Sequence, residues 1–207
     1  MEVRELRTLP LMELRVQRTD DVSVIEGHAA VFDKWSETLG GIFPFNEKVK
    51  RGAFMDSLEK DDIRALFNHD PNYVLGRNKS GTLELREDAE GLLVRITPPN
   101  TQWARDLQVS IERGDINQMS FGFTVEEDEW RSEDGYDVRE LRKVKLYDVS
   151  PVTYPAYTAT DVGVRGMESY KEYRSKIENA EKAEQEQAEK AKQKALLECL
   201  KKKFKII

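Results

Sequence analysis

The alternation of apolar and polar positions predicts a mainly β domain followed by a helix of different character. Val22-Ser23-Val24 alternates and Ala29 to Phe32 continues as a buried run, with Gly27 between them placed like a bulge. Leu83-Glu84-Leu85-Arg86 and the run Leu92 to Ile96 flank Glu87-Asp88-Ala89-Glu90-Gly91, the signature of a hairpin that Pro98-Pro99 ends. Phe121, Phe123 and Val125 alternate, Asp134-Gly135 turns the chain, and Val138 to Val149 returns as a strand. Pro151 and Pro155 then end regular structure. Two helices interrupt the strands. Trp103, Leu107 and Ile111 share one face of a helix capped by Asn100 or Thr101 and closed by Gly114. A shorter helix spans Gly52 to Lys60.

After Arg165 the pattern changes. Glu181 to Ala195 is almost entirely Ala, Glu, Lys and Gln, strong helix-forming material with no core. Ala188, Ala191 and Ala195 make a narrow stripe, and Leu196, Leu200, Phe204 and Ile207 a more apolar one. The expected organisation is a globular domain over 1–165 and a charged helical tail over 166–207.

Charge sharpens that division. The tail carries 11 basic and 8 acidic residues, net +3, and the remainder 22 basic and 31 acidic, net −9. An acidic domain with scattered signs lacks the clustered Lys and Arg that phosphate binding needs, so nucleic acid is not an expected partner. No apolar run approaches membrane-spanning length and the N-terminal residues lack a signal-peptide pattern, so a cytosolic protein is expected. One cysteine, Cys199, allows no intrachain disulfide. Two histidines, His28 and His69, with one remote cysteine exclude a Cys/His zinc site, and neither metal nor cofactor is expected.

The residue types of a serine hydrolase are present: a nucleophile, a base and a group that orients the base. His69 ends an apolar run broken by Pro71, which puts it at a strand end entering a loop, whereas His28 lies inside an apolar strand. Ser120 shares a strand face with Gly122, opposite the anchoring Phe121 and Phe123, which leaves room for a substrate backbone to approach. Ser150 is the rival nucleophile. Asp148, near a strand end, could hold the imidazole; Asp70 could also, although adjacent side chains on a strand point opposite ways. The Gly-x-Ser-x-Gly elbow is absent, which disfavours an α/β-hydrolase.

The chain resembles the phage prohead, or capsid maturation, proteases. The resemblance rests on Gly27-His28-Ala29-Ala30-Val31-Phe32-Asp33, Arg51-Gly52-Ala53-Phe54, Asn68-His69-Asp70, Leu75-Gly76-Arg77, Gly81-Thr82-Leu83, Arg113-Gly114-Asp115 with Met119-Ser120-Phe121-Gly122-Phe123, and Asp148 to Tyr157, in that order. It implies an α+β, mainly β fold similar to herpesvirus assemblin, a small closed β-barrel ringed by helices. It implies a serine endopeptidase with Ser120 as nucleophile, His69 as base and Asp148 as third member, with His28 the alternative third member. The implied substrates are the scaffold, the scaffolding segment of the major capsid protein, and the protease itself. The implied location is the host cytoplasm, inside the assembling procapsid, and a homo-oligomer is compatible with it. The tail would then direct assembly or be removed by self-cleavage. A non-enzymatic scaffolding or capsid-interior protein would share the tail and the acidic domain, and Ser120, His69 and Asp148 lying far apart would support that reading. A β-barrel binding module with no viral role is a second rival.

Overall fold

In the computed structural model, residues 4–8, 14–18, 23–41, 44–154 and 164–204 are described. Their strands are β1 (Glu5–Thr8), β2 (Arg15–Arg18), β3 (Ser23–Val31), β4 (Phe45–Val49), β5 (Arg64–Phe67), β6 (Asp70–Arg77), β7 (Leu83–Glu87), β8 (Gly91–Ile96), β9 (Gln118–Glu133) and β10 (Tyr136–Val152). The helices are α1 (Met55–Lys60), α2 (Gln102–Glu112) and α3 (Val164–Phe204). The chain divides into two compact units, Met1–Gly166 and Met167–Ile207.

The first unit holds two sheets. One runs β1-β9-β10-β5-β6, with β4 also paired to β10, and the other runs β2-β3-β8-β7. A closed barrel was the expectation, and the sheets do not close: among the described residues, β1 and β6 end one strand path and β2 and β7 the other. The reason lies in β9 and β10, which pair as one long hairpin from Gln118↔Val152 to Glu133↔Tyr136. A barrel needs its strands staggered around a ring, whereas β10 spends its length on three partners, with β4 and β5 both parallel to it at different heights. Asp134 and Gly135, with φ of 52° and 83°, close the hairpin in the left-handed region that a two-residue primed turn requires.

The two sheets share one core. Ile25, Leu92, Val94 and Ile96 contribute from one, Phe121, Phe123, Leu146 and Val149 from the other, and Leu107 and Ile111 from α2. Phe121 stacks on Phe123 with ring centroids 4.9 Å apart and meets Phe54 edge-on at 5.5 Å, which fixes the middle of β9. The helix read over Trp103, Leu107 and Ile111 is α2, with Thr101 at its N-cap and Gly114, at φ 81°, just beyond its end. Helix α1 begins at Met55, after a turn over Arg51–Phe54. The bulge expected at Gly27 falls instead between His28 and Ala30. Pro151 lies inside β10, and Pro155 is outside the described residues.

Strand β1 has charged side chains at its buried positions Glu5 and Arg7, and β4 has one, Glu47, between the buried Phe45 and Val49. Glu5, Arg7, Glu47 and Arg139 are all buried. Arg7 Nε donates to Glu47 at 2.8 Å and Arg7 Nη2 to Glu5 at 2.6 Å. Arg139 Nη1 reaches Glu5 at 3.1 Å and Glu47 at 3.0 Å, and its Nε reaches Asp128 at 2.7 Å. Burial pushes the Arg139 pKa down, but Glu47, Glu5 and Asp128 outweigh it and hold the guanidinium more firmly protonated than usual. This network binds β1 to the sheet that carries Ser120.

The described part of the second unit is α3 from Met167 onward. No helix among the described residues is long and apolar enough to cross a membrane. Leu196, Leu197 and Leu200 are exposed, and the side chains of Phe204 and Ile207, assigned to the same stripe, lie outside the described residues.

Candidate active site

The register of β9 against β10 assembles the site. Simple alternation along β10 would put Leu146, Asp148 and Ser150 on one face. A β-bulge between Leu146 and Asp148 breaks it: Leu146 pairs with Phe123, while Asp148 pairs with Gly122 and Ser150 with Ser120. The extra residue, Tyr147, lets Leu146 and Val149 both enter the core while Asp148 and Ser150 turn to the face of Ser120. The Leu146 N–H donates to Ser57 Oγ at 2.8 Å, so the bulge leaves this amide satisfied.

His69 arrives from the neighbouring strand. β5 runs parallel beside β10, with Asp148↔Arg64 and Val149↔Ala65 in register. Phe67 at its end pairs with Asp70 across two residues, Asn68 at φ 53° and His69 at φ 58°. Positive φ at both central positions is the mark of a type I′ hairpin turn, where Asn is favoured and His is tolerated. Asn68 pins the turn to the end of β10. Its N–H donates to the Pro151 carbonyl at 3.0 Å, its Nδ2 to Thr153 Oγ1 at 3.2 Å, and its Oδ1 accepts from the Thr153 N–H at 2.9 Å.

The result is a continuous chain of hydrogen bonds. His69 Nδ1 lies 2.5 Å from Asp148 Oδ2, and His69 Nε2 lies 2.7 Å from Ser120 Oγ. With the proton on Nδ1 held by the carboxylate, Nε2 presents its lone pair to the serine hydroxyl, which donates to it. Asp148 Oδ2 also accepts from Ser150 Oγ at 2.9 Å. Ser120 and Ser150 have no exposed surface and Asp148 is 4% exposed, whereas the His69 ring keeps 14% of its surface.

The three residues singled out from sequence therefore meet, and their rivals do not join them in those places. Ser150 is bonded to Asp148, not to a histidine. Asp70 accepts from the N–H and Nδ2 of Asn72, at 2.8 and 2.9 Å, and so closes its own turn. His28 sits on β3 in the other sheet, its Nε2 2.9 Å from Asp88 Oδ2. Partial burial raises the Asp88 pKa, but hydrogen bonds from the Gly91 N–H, the His28 ring and the Glu90 N–H bring it down to about 2. Gly122 has a different reason than expected. A Cβ there would lie 2.5 Å from Asp148 Oδ1, so its missing side chain makes room for the carboxylate, not for a substrate. Among the described residues no group of three or more His, Cys, Asp or Glu is arranged to hold a metal ion.

The family model of the caudovirus prohead serine proteases matches residues 11–175, most of the chain. The chain belongs to this family. A prohead protease of Enterobacteria phage HK97 is 28% identical over 171 residues, covering 79% of this chain and 69% of that protein. The structure of the bacteriophage T4 capsid assembly protease is similar over 74% of this chain and 98% of that one, at 13% identity and a TM-score of 0.46. As a prohead serine protease, the chain requires a serine nucleophile. Among the described residues, the Ser120 hydroxyl meets a histidine ring nitrogen in the hydrogen-bond chain just described.

Proposed function

We propose that this prohead protease is an endopeptidase in which Ser120 attacks, His69 moves the proton and Asp148 holds His69. The observation that carries the reading is the unbroken Ser120–His69–Asp148 chain at 2.7 and 2.5 Å. As Ser120 Oγ adds to the scissile carbonyl carbon, its proton passes to His69 Nε2. The imidazolium that forms is stabilised by the Asp148 carboxylate, which stays ionised. Collapse of the tetrahedral intermediate breaks the C–N bond, and His69 gives its proton to the departing amine. A water, deprotonated by His69, then adds to the acyl-enzyme and frees the new carboxyl end and Ser120. A scaffolding protein without chemistry has no use for this arrangement.

The substrates in this reading are the scaffold or the scaffolding segment of the major capsid protein, and the protease itself, inside an assembling procapsid in the host cytoplasm. The tail, with exposed Leu196, Leu197 and Leu200 on a charged helix, is proposed to dock among scaffold helices or to be the first self-cleaved segment. The test is co-expression of the full chain with the major capsid protein of the same phage. Shortened capsid protein is expected with the unsubstituted protease, and full-length capsid protein with Ser120→Ala. Shortening that persists with Ser120→Ala would reject the reading.

A further inference from the structure

We infer that Ser150 is a positioning residue for the hydrolysis, a fourth hydrogen-bonded member that fixes the Asp148 carboxylate; the inference rests on the Ser120–His69–Asp148 reading. Three observations converge on it. Ser150 Oγ lies 2.9 Å from Asp148 Oδ2, the same oxygen that faces His69 Nδ1 at 2.5 Å. Ser150 is fully buried and Asp148 nearly so, which leaves little bulk water to replace the hydroxyl as a donor. Ser150 also stands directly across the ladder from Ser120, and Asp148 across from Gly122, so Ser150, Asp148 and the nucleophile are set by one stretch of register.

The chemistry of the carboxylate explains the need. An ionised carboxylate accepts hydrogen bonds through both oxygens and can rotate about its terminal bond. Oδ1 lies over Gly122, in the space a side chain would fill. On Oδ2, two donors converge from different strands, His69 from the β5–β6 turn and Ser150 from β10 itself. With only His69, the carboxylate could follow the ring as it swings. With Ser150, it is anchored to its own strand and holds the ring at a fixed angle, aiming Nε2 at Ser120 Oγ. Ser150 touches no reacting atom in this scheme; it acts through Asp148.

The test uses the full chain and a fluorophosphonate probe, which needs no knowledge of the cleavage site. Ser120 Oγ displaces fluoride from phosphorus, and His69 takes the hydroxyl proton. A hydrogen bond to a charged group that is lost from a buried site corresponds to about a tenfold or greater effect. Ser150→Ala is therefore expected to slow the limiting labelling rate about 10-fold or more, with the probe's half-saturating concentration unchanged. A second readout separates positioning from general damage. The chain has two histidines, so ring nitrogen NMR gives two sets of signals. Those of His69 are expected to move in Ser150→Ala while those of His28, paired with Asp88 in the other sheet, stay in place. If Ser150→Ala does not fold, Ser150→Cys, close in size with a weaker donor, carries the same two readouts with a smaller loss. A labelling rate within twofold of the unsubstituted protein, or equal displacement of both histidines, would overturn the inference. Undiminished labelling of Ser120→Ala would instead overturn the catalytic reading on which it rests.

Discussion

Substituting Gly122 by alanine disturbs the site without replacing any group that carries chemistry. An added Cβ would meet Asp148 Oδ1 at 2.5 Å, Asp148 Cγ at 3.3 Å and Leu6 Cδ2 at 3.3 Å. Carbon–oxygen contacts relax at roughly 3.3 Å, so Oδ1 must withdraw by about 0.8 Å. Asp148 is a short side chain whose other oxygen is bonded to His69 and Ser150, and it cannot turn aside without dragging or breaking one of those bonds. A misplacement on the order of 1 Å at a catalytic group costs about 10²-fold in rate. Folding is affected far less. Overpacking costs roughly 1–3 kcal/mol, and replacing a strand glycine returns about 0.5–1 kcal/mol. The net is on the order of 1 kcal/mol, or about 2–4 °C in Tm for a domain of this size. The assay is fluorophosphonate labelling rate beside a thermal melt. A large loss of rate with a nearly unchanged melt is expected. Labelling within about threefold of the unsubstituted protein would refute the role given to the Asp148 carboxylate.

Arg139→Met removes the central cation from Glu5, Glu47 and Asp128 and leaves buried negative charge short of a partner; about 3–5 kcal/mol of stability should be lost in urea unfolding, and a loss below about 1 kcal/mol would contradict this. Asp88, held at about 2 in the folded protein, lies below its unfolded value near 3.9. Its contribution is therefore present above pH ~4 and lost as pH falls toward ~2; Asp88→Asn should cost about 1 kcal/mol at neutral pH, after allowance for its partial exposure, and flatten the acid side of the stability curve. A chain ended near Val164 should stay folded with a similar melt yet enter procapsids in fewer copies, because the tail has no core of its own; equal copies per purified procapsid would remove the targeting role.

Much of this was legible in the sequence where burial is apolar. The β7–β8 hairpin, α2 and the β9–β10 hairpin follow from periodicity and turn residues, because their inward faces are Leu, Ile, Val and Phe. Strand β1 was not legible, because Glu5 and Arg7 are its buried positions, and β4 was hard to read because the buried, charged Glu47 interrupts the alternation of Phe45 and Val49. At the site, Ser120, His69 and Asp148 could be singled out, but not how they meet. The bulge at Tyr147 sets which face Asp148 takes, and alternation alone gives the opposite face. Asp148-Val149-Ser150 did carry a signal for the role of Ser150, since residues two apart on a strand share a face. Asn68 before His69 likewise fits a turn with two positive φ values, whose remaining signal, the clamp to Thr153, is spread over distant sequence. The closed barrel failed because strand patterns do not encode whether the outermost strands meet.

The most direct measurement is to label the full-length protein with a fluorophosphonate, digest it and locate the adduct by mass spectrometry. One adduct on Ser120 is expected, absent from Ser120→Ala and nearly absent from His69→Ala, with losses of about 10⁴–10⁶ in labelling rate typical for members of such a unit. An adduct on Ser150 or any other serine, or undiminished labelling of Ser120→Ala, would contradict the assignment of Ser120 and His69 as nucleophile and base.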